Sequence, residues 1–359
     1  MRLTPRQKEW YNMGILEISG LTVDFATEGG KLSAVRGIDL SLGEGEVLAL
    51  VGESGSGKSV SAKAILGILP PGARVVAGEI RYRGRDILSL GESELSRLRG
   101  REISIVPQDP YLSLDPITRV GRQIAESVRT EGVGGRAAAK MRKQRAVELI
   151  REVGIVDPER AYFEYPFRFS GGMRQRIAIA AAIAPEPRVL ICDEPTTALD
   201  VTIEAQILDL LERMKRERGL SMLFITHDLG VVARIADRVA VMYAGKIVEE
   251  GLIEEVFYDP RHPYTWALMS SVPEVGEGEL RSIPGSVPDM RRVPRGDAFA
   301  ERNEWAMHID RILEPPMFYV SETHRVASWL CHPDAPRVDI PPHLKRRIER
   351  YTAGRADLV

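Results

Sequence analysis

The stretch EVLALVGESGSGKS, Glu46 to Ser59, constrains this chain more than any other. EVLALVG is continuously apolar after its first residue, which suits a strand buried on both faces, and such strands belong to parallel sheets covered by helices. GESGSGKS at 52–59 fits the spacing G-x-x-x-x-G-K-[ST] and leads into a helix expected from about Ser59. The residue types have a physical reason. Gly52, Gly55 and Gly57 let the backbone wrap phosphates closely, with inward N–H groups and a helix N-terminus behind them. Lys58 supplies a point charge for β- and γ-phosphates, and the Ser59 hydroxyl can ligate Mg²⁺. A glycine turn carrying a lysine by chance would need neither the strand before it nor the helix after it. The implied ligand is a nucleoside triphosphate.

Around this loop the pattern alternates. LEISG, LTVDF and EIRYRGRDI read as short strands between Ile15 and about Ile87. From about Ser89 to Gln175 the pattern is helical and polar, as in GRAAAKMRKQRAVELIREVG. Buried strands return in RVLICDEP and SMLFITHDL, and between them VTIEAQILDLLERMKRERG has helical spacing with Gly219 as its stop. Alternating strands and helices imply a mainly parallel sheet with helices on its faces. VLICDEP ends on two carboxylates. Asp193 is placed to hold Mg²⁺ through water, and Glu194 to orient or deprotonate an attacking water, although paired acids at a strand end also suit plain solvation. Cys192 is expected to pack in the core.

Composition narrows the class. A length of 359 residues is more than one core usually needs. With 49 basic against 51 acidic side chains, the chain has no electrostatic footprint for nucleic acid. Two distant cysteines, Cys192 and Cys331, fit a reducing compartment better than a disulfide framework. IAIAAAIAP from Ile177 is too short to span a bilayer, and MRLTPRQKEWYN lacks the apolar stretch of a secretory signal. A cytosolic chain is expected, with any membrane contact made through a partner. Residues 1–13 read as an N-terminal extension and 14–255 as the main domain. After Gly251 prolines become frequent, in PRHPYT, SIPGSVPDMRRVPRG, LEPPM and IPPH, so 256–359 read as a C-terminal domain with little regular structure.

GESGSGKS, Gln108 in VPQDP, FSGGMRQR, LICDEPTTALD and ITHD follow one another in an order that resembles the nucleotide-binding subunit of an ABC transporter, from Ile15 to Gly251. The resemblance implies an α/β fold: a P-loop NTPase (RecA-like) core, an antiparallel β subdomain, an α-helical subdomain at roughly 89–175, and an irregular C-terminal extension. It implies ATP and Mg²⁺, and two subunits paired head to tail. Each ATP would then lie between one subunit's Gly52, Glu53, Ser54, Gly55, Ser56, Gly57, Lys58 and Ser59 and the other's signature residues Ser170, Gly171, Gly172 and Met173. Ser170 offers a hydroxyl and the glycines offer unobstructed N–H groups at the positive end of a helix. The usual signature is LSGGQ, from which Phe169 and Met173 depart. Gln108 resembles the glutamine that ligates Mg²⁺ and senses the membrane partner. Asp200 matches the loop that speaks across the dimer, and His227 the histidine that links the γ-phosphate to the catalytic glutamate. The implied catalytic set is Lys58, Gln108, Glu194 and His227, and the implied metal set is Ser59, Gln108 and Asp193. Phe25 lies where the family places an adenine-stacking aromatic, and it equally suits a strand core.

VGESGSGKS, QDPYLSLDP, YPFRFSGGMRQRIAIA, DEPTTALDVT, HPYTWALMSSVP and the tail SIPGSVPDMRRVPRG resemble, together, the importer subunits for oligopeptides, dipeptides and nickel. That branch implies an ATPase subunit powering uptake of peptides or a related small solute, with sugar or nickel as the alternative cargo. It also implies a second related ATPase chain, two transmembrane permease subunits and an extracytoplasmic solute-binding protein, with the ATPase peripheral on the cytoplasmic face of the membrane. A non-transport ABC ATPase would bring long coiled coils or a second cassette, and a P-loop kinase or GTPase has no need of the signature motif. The tail departs from the branch in one respect. Members often carry four cysteines there for an iron–sulfur cluster, but the matching positions are Asp297, Asn303, Asp310 and Ser328, none of which offers a thiolate. No cluster is expected, and packing around Trp305, Phe318, Tyr319 and Trp329 is expected to hold the tail instead. His308, His324, His332 and His343 lack tight metal-ligand spacing and read as solvated or locally bonded. Arg291, Arg292 and Arg295 read as a solvated face, or as a face that docks on the partner subunit.

Overall fold

A computed structural model describes residues 14–197, 199–272 and 282–356; the extension expected at 1–13 lies outside the described residues. They form two compact units, one drawn from 14–43, 47–88, 226–272 and 282–356, the other from 44–46, 89–197 and 199–225.

The first unit begins with β1 (Leu16–Thr27) and β2 (Gly30–Leu42), an antiparallel pair with Leu16 opposite Leu42 and Thr27 opposite Gly30. Leu16, Ile18, Leu21 and Val23 of β1 are buried, so one face of the pair supplies core. β3 (Val47–Val51) is buried at every position, as its unbroken apolar run requires. The phosphate-loop motif follows, then α1 (Lys58–Leu66). β4 (Ala73–Tyr82) and β5 (Arg85–Asp86) complete an antiparallel sheet in the order β2-β1-β4-β5.

The second unit contains α2 (Glu92–Arg101), β6 (Ile103–Val106), α3 (Val120–Ser127), α4 (Gly135–Glu152) and α5 (Gly171–Ile183). It continues with β7 (Val189–Asp193), α6 (Val201–Arg218) and β8 (Ser221–Thr226). β6, β7 and β8 are parallel, with Ile103 beside Val189 and Val189 beside Ser221. α5 packs on α3 and α4, and its Ile177, Ile179 and Ile183 are buried. α6 ends at Gly219, the stop its sequence implied.

The chain then returns to the first unit with α7 (Leu229–Ile235), β9 (Arg238–Tyr243), β10 (Lys246–Leu252), α8 (Ile253–Tyr258) and α9 (Pro263–Ser270). The short strands β11 (Phe318–Tyr319) and β12 (Arg325–Val326) and the helix α10 (Pro342–Ala356) follow. β3 runs parallel to β9, β9 is antiparallel to β10, and β12 adds to the far side of β10 with Val326 opposite Glu249. The boundary expected at 255/256 falls inside α8. Tail side chains Tyr264, Trp266, Phe299 and Leu344 share one apolar cluster with Val239, Val241 and Tyr243 of β9. Trp266 and Trp305 meet edge to face at 5.1 Å, Phe318 and Trp329 at 6.0 Å, and the Trp329 indole N–H donates to Leu313 O. Asp297, Asn303, Asp310 and Ser328 each accept a nearby backbone N–H, from Phe299, Trp305, Met307 and Leu330 respectively. His324 is buried with Nε2 at 2.8 Å from Glu249, and His343 Nε2 lies 2.8 Å from Ser270 Oγ.

Candidate functional site

In the first unit, the turn between β3 and α1 is fixed by backbone that only glycine can supply. Gly52 has φ 153° and a Cβ there would stand 2.1 Å from Met242 O; Gly57 has φ 110° and its Cβ would stand 2.5 Å from Ala34 O. At the exposed tip, a Cβ on Gly55 would meet nothing. Gly245 N–H donates to Ser56 O, tying the loop to the β9–β10 turn. Lys58 is 4% exposed, its Nζ donating to Gly52 O at 2.7 Å and Glu53 O at 3.0 Å. No side chain caps the N-terminus of α1. A buried ammonium and an uncapped helix start at a turn with an open tip suit a phosphate group.

Glu53 differs from its neighbours. Its N–H donates to Tyr264 Oη at 2.8 Å and its carboxylate accepts from Arg302. Burial raises the Tyr264 phenol above its ordinary range, so it keeps its proton. Phe25 is half-buried on β1, opposite Leu32 and Ala73. His227 is exposed immediately after β8, and the next residue, Asp228, caps α7 by accepting from Gly230 N.

In the second unit, Asp193 ends β7 and is 4% exposed. Glu194, 8% exposed, has φ 48°, a left-handed conformation uncommon for a residue with a side chain. The bend turns its carboxylate to two donors, Gln108 Nε2 at 3.1 Å and Thr197 Oγ1 at 2.9 Å, while its N–H donates to Ile225 O. Thr197 was not among the expected site residues; the signal was a hydroxyl three positions past a strand-end glutamate. Ser170 is the N-cap of α5 and accepts from Met173 N at 3.4 Å. A Cβ on Gly171 would meet nothing, whereas one on Gly172 would stand 2.5 Å from Ile203 Cγ2. Asp200 caps α6 by accepting from the N–H of that same Ile203 at 3.0 Å. Arg174 sits over the Tyr111 ring and donates to Phe169 O, bracing the signature turn. Cys192 is fully buried, and burial raises its thiol above the ordinary range.

The first unit thus carries Phe25, Gly52–Ser59 and His227. The second joins Gln108 to Glu194 directly, and Gly172 to Asp200 through Ile203.

Residues 35–197 match the family model for the ABC transporter, and 248–309 that for the oligopeptide/dipeptide transporter C-terminal region. Over 341 residues the chain is 52% identical to the oligopeptide transport ATP-binding protein OppD of Bacillus subtilis (strain 168), a likeness covering 94% of each chain. The chain belongs to the ATP-binding subunits of oligopeptide and dipeptide ABC transporters. The oligopeptide transport ATP-binding protein AmiE of Streptococcus pneumoniae serotype 4 (strain ATCC BAA-334 / TIGR4) is 53% identical over 331 residues, 91% of this chain and 92% of its own. A dimeric ATP-binding cassette in a post-hydrolysis state, bound to ADP and Pi, matches with a TM-score of 0.60 at 25% identity, over 66% of this chain and 98% of that one. The expected family and fold class are borne out. As an ABC transporter ATP-binding subunit the chain uses ATP, and its reaction is ATP hydrolysis. Among the described residues, no helix is long and apolar enough to cross a membrane.

Proposed function

We propose that this chain powers an importer for oligopeptides or dipeptides, from the cytoplasmic face of the membrane, paired head to tail with a second ATPase subunit and docked on two permease subunits supplied by an extracytoplasmic binding protein. The observation that carries this reading is the likeness to peptide transport ATP-binding proteins, which runs through the cassette and the tail alike.

In this reading Lys58 and the N–H groups of Gly52–Ser59 hold the β- and γ-phosphates, with Phe25 against the adenine. Ser59, Gln108 and Asp193 offer a hydroxyl, an amide oxygen and a carboxylate, an all-oxygen donor set that fits a hard dication. Mg²⁺ held by them would neutralise charge building on the transferred phosphoryl group. Glu194, oriented by Gln108 and Thr197, takes a proton from the attacking water, and His227 steadies the γ-phosphate. Ser170, Gly171, Gly172 and Met173 serve the ATP held by the second subunit, and Asp200 speaks across the pair. Little covalent chemistry falls to the protein; positioning and charge stabilisation carry the rate.

The test is purification of the tagged chain from its own membranes in mild detergent, with identification of every stoichiometric companion. Two multi-span proteins, a second ATPase and a binding protein loaded with peptide are expected. Recovery as a lone protein would remove transport, and a binding protein loaded with sugar or nickel would replace the cargo.

A further inference from the structure

Arg302 is 249 residues from Glu53 in sequence, yet its guanidinium closes on that carboxylate with two bonds, Nη1 to Oε2 at 2.7 Å and Nη2 to Oε1 at 3.0 Å. The guanidinium is itself fixed. Nε donates to Pro284 O at 2.7 Å, Nη1 also reaches Tyr243 Oη at 3.1 Å, and the residue is 8% exposed. From the other side, fully buried Tyr264 accepts the Glu53 N–H. Tyr243, Tyr264 and Phe299 pack on one another with ring centroids 4.5 to 5.3 Å apart, so both anchors stand on one rigid aromatic cluster.

Two consequences follow from where Glu53 lies. The Glu53 and Gly52 carbonyls both hold Lys58 Nζ, so a shift of Glu53 shifts the ammonium. Its carboxylate also places a negative charge on a loop meant for a polyanion, and an unpaired carboxylate there would oppose a polyanion's binding. A forked Arg–carboxylate pair removes that charge and fixes its geometry together. A lysine in place of Arg302 could neutralise but not fork.

We propose that Arg302 and Tyr264 are positioning residues for the nucleotide site: acting through Glu53, they hold the phosphate loop in its binding shape and cancel its charge, so that the C-terminal region sets the affinity for ATP. The inference rests on the reading of Gly52–Ser59 as the loop that binds ATP.

The test uses the full-length chain, Mg-ATP titration and melting temperature, with steady-state ATPase kinetics on the assembled transporter. Arg302→Ala is expected to weaken ATP binding about tenfold or more, because it strands a partly buried carboxylate. Adding Glu53→Gln to Arg302→Ala restores most of the affinity, and Arg302→Lys restores part of it. KM for ATP rises while kcat holds within about threefold, the pattern of lost binding rather than lost chemistry. Should Arg302→Ala fail to fold, Tyr264→Phe and Arg302→Lys carry the test; Tyr264→Phe removes one acceptor and raises the ATP dissociation constant about threefold. The proposal is overturned if folded Arg302→Ala, or both of the milder variants, bind ATP within twofold of the parent chain. It is equally overturned if affinity falls together with melting temperature and Glu53→Gln rescues neither, since the tail would then be a strut and nothing more. A parent chain that binds no ATP would overturn the phosphate-loop reading first, and this inference with it.

Discussion

α1 and α5 both begin on glycine-rich turns, at Gly57 and at Ser170–Gly172, and the chain treats the two turns differently. Around the first, Met242 O and Ala34 O crowd Gly52 and Gly57, Ser56 O takes the Gly245 N–H, and Tyr264 and Arg302 hold Glu53. Around the second, Gly172 rests on Ile203, but Ser170 is exposed and the space beside Gly171 is empty. The first turn is shaped on nearly every side by its own chain. The second is supported from behind and left open in front, which is the form expected of a surface that serves a ligand carried by another molecule. Under the head-to-tail reading proposed above, both turns offer anion chemistry, and the packing around each marks whose anion it serves.

This contrast can be broken. Gly52→Ala should do most damage: a methyl 2.1 Å from Met242 O, on a backbone that side chains rarely adopt, should abolish ATP binding by the lone chain and lower its melting temperature. Retained binding would show that the first turn is not held as tightly as its contacts imply. The tail that braces this turn should also be pH-sensitive. Burial, aided by the charges of Asp310 and Glu314 and opposed by the Phe299 N–H bond and the charge of Arg36, pushes the Asp297 carboxyl from its ordinary 3.8 up to about 7. The folded chain therefore keeps a proton that the unfolded chain loses above pH 4, and stability falls as pH rises from about 4 through about 7, by up to about 4 kcal/mol. Melting temperatures between pH 5 and pH 8 should drop for the parent chain and drop less for Asp297→Asn; equal slopes would dismiss Asp297 as the source.

Gly171→Ala should leave melting and ATP binding by the lone chain within error, yet slow hydrolysis by the assembled transporter about a hundredfold, the order of effect of losing one charge-stabilising donor. If it instead weakens ATP binding by the lone chain, the second turn serves its own nucleotide and the head-to-tail reading fails. Ser170→Gly should cost least in stability, a few tenths of a kcal/mol by thermal melting. Its cap bond to Met173 is long, at 3.4 Å, so a larger loss would mean that the hydroxyl does more for its own helix than the geometry shows.

Much of the fold was legible because some segments admit one environment only. β3, β7 and β8 are buried at every position, which unbroken apolar runs demand. The loop at 52–59, the cap at Ser170 and the stop at Gly219 are each written in local residue types. What escaped was non-local. Nothing in AERNEWA marks Arg302 as the partner of Glu53, because an arginine has the same local pattern whether it faces water or a carboxylate. His324 showed only its spacing in the sequence, and its bond to Glu249 crosses 75 residues. Proline frequency after Gly251 reports how regular a stretch is, not what it packs against; Tyr264 and Phe299 lie in the same apolar cluster as β9.

The separation of Glu53 and Arg302 also has a meaning in time. At a synthesis rate of about 5–20 residues per second, the 249-residue step from Glu53 to Arg302 takes about 12–50 s to make. Throughout that interval the growing chain displays a complete phosphate motif whose grip has not yet been synthesised. A product released early by a stalled ribosome, ending before Arg302, keeps the motif and lacks the clamp. Any hold that Arg302 has on the phosphate loop can therefore begin only after residue 302 has been made.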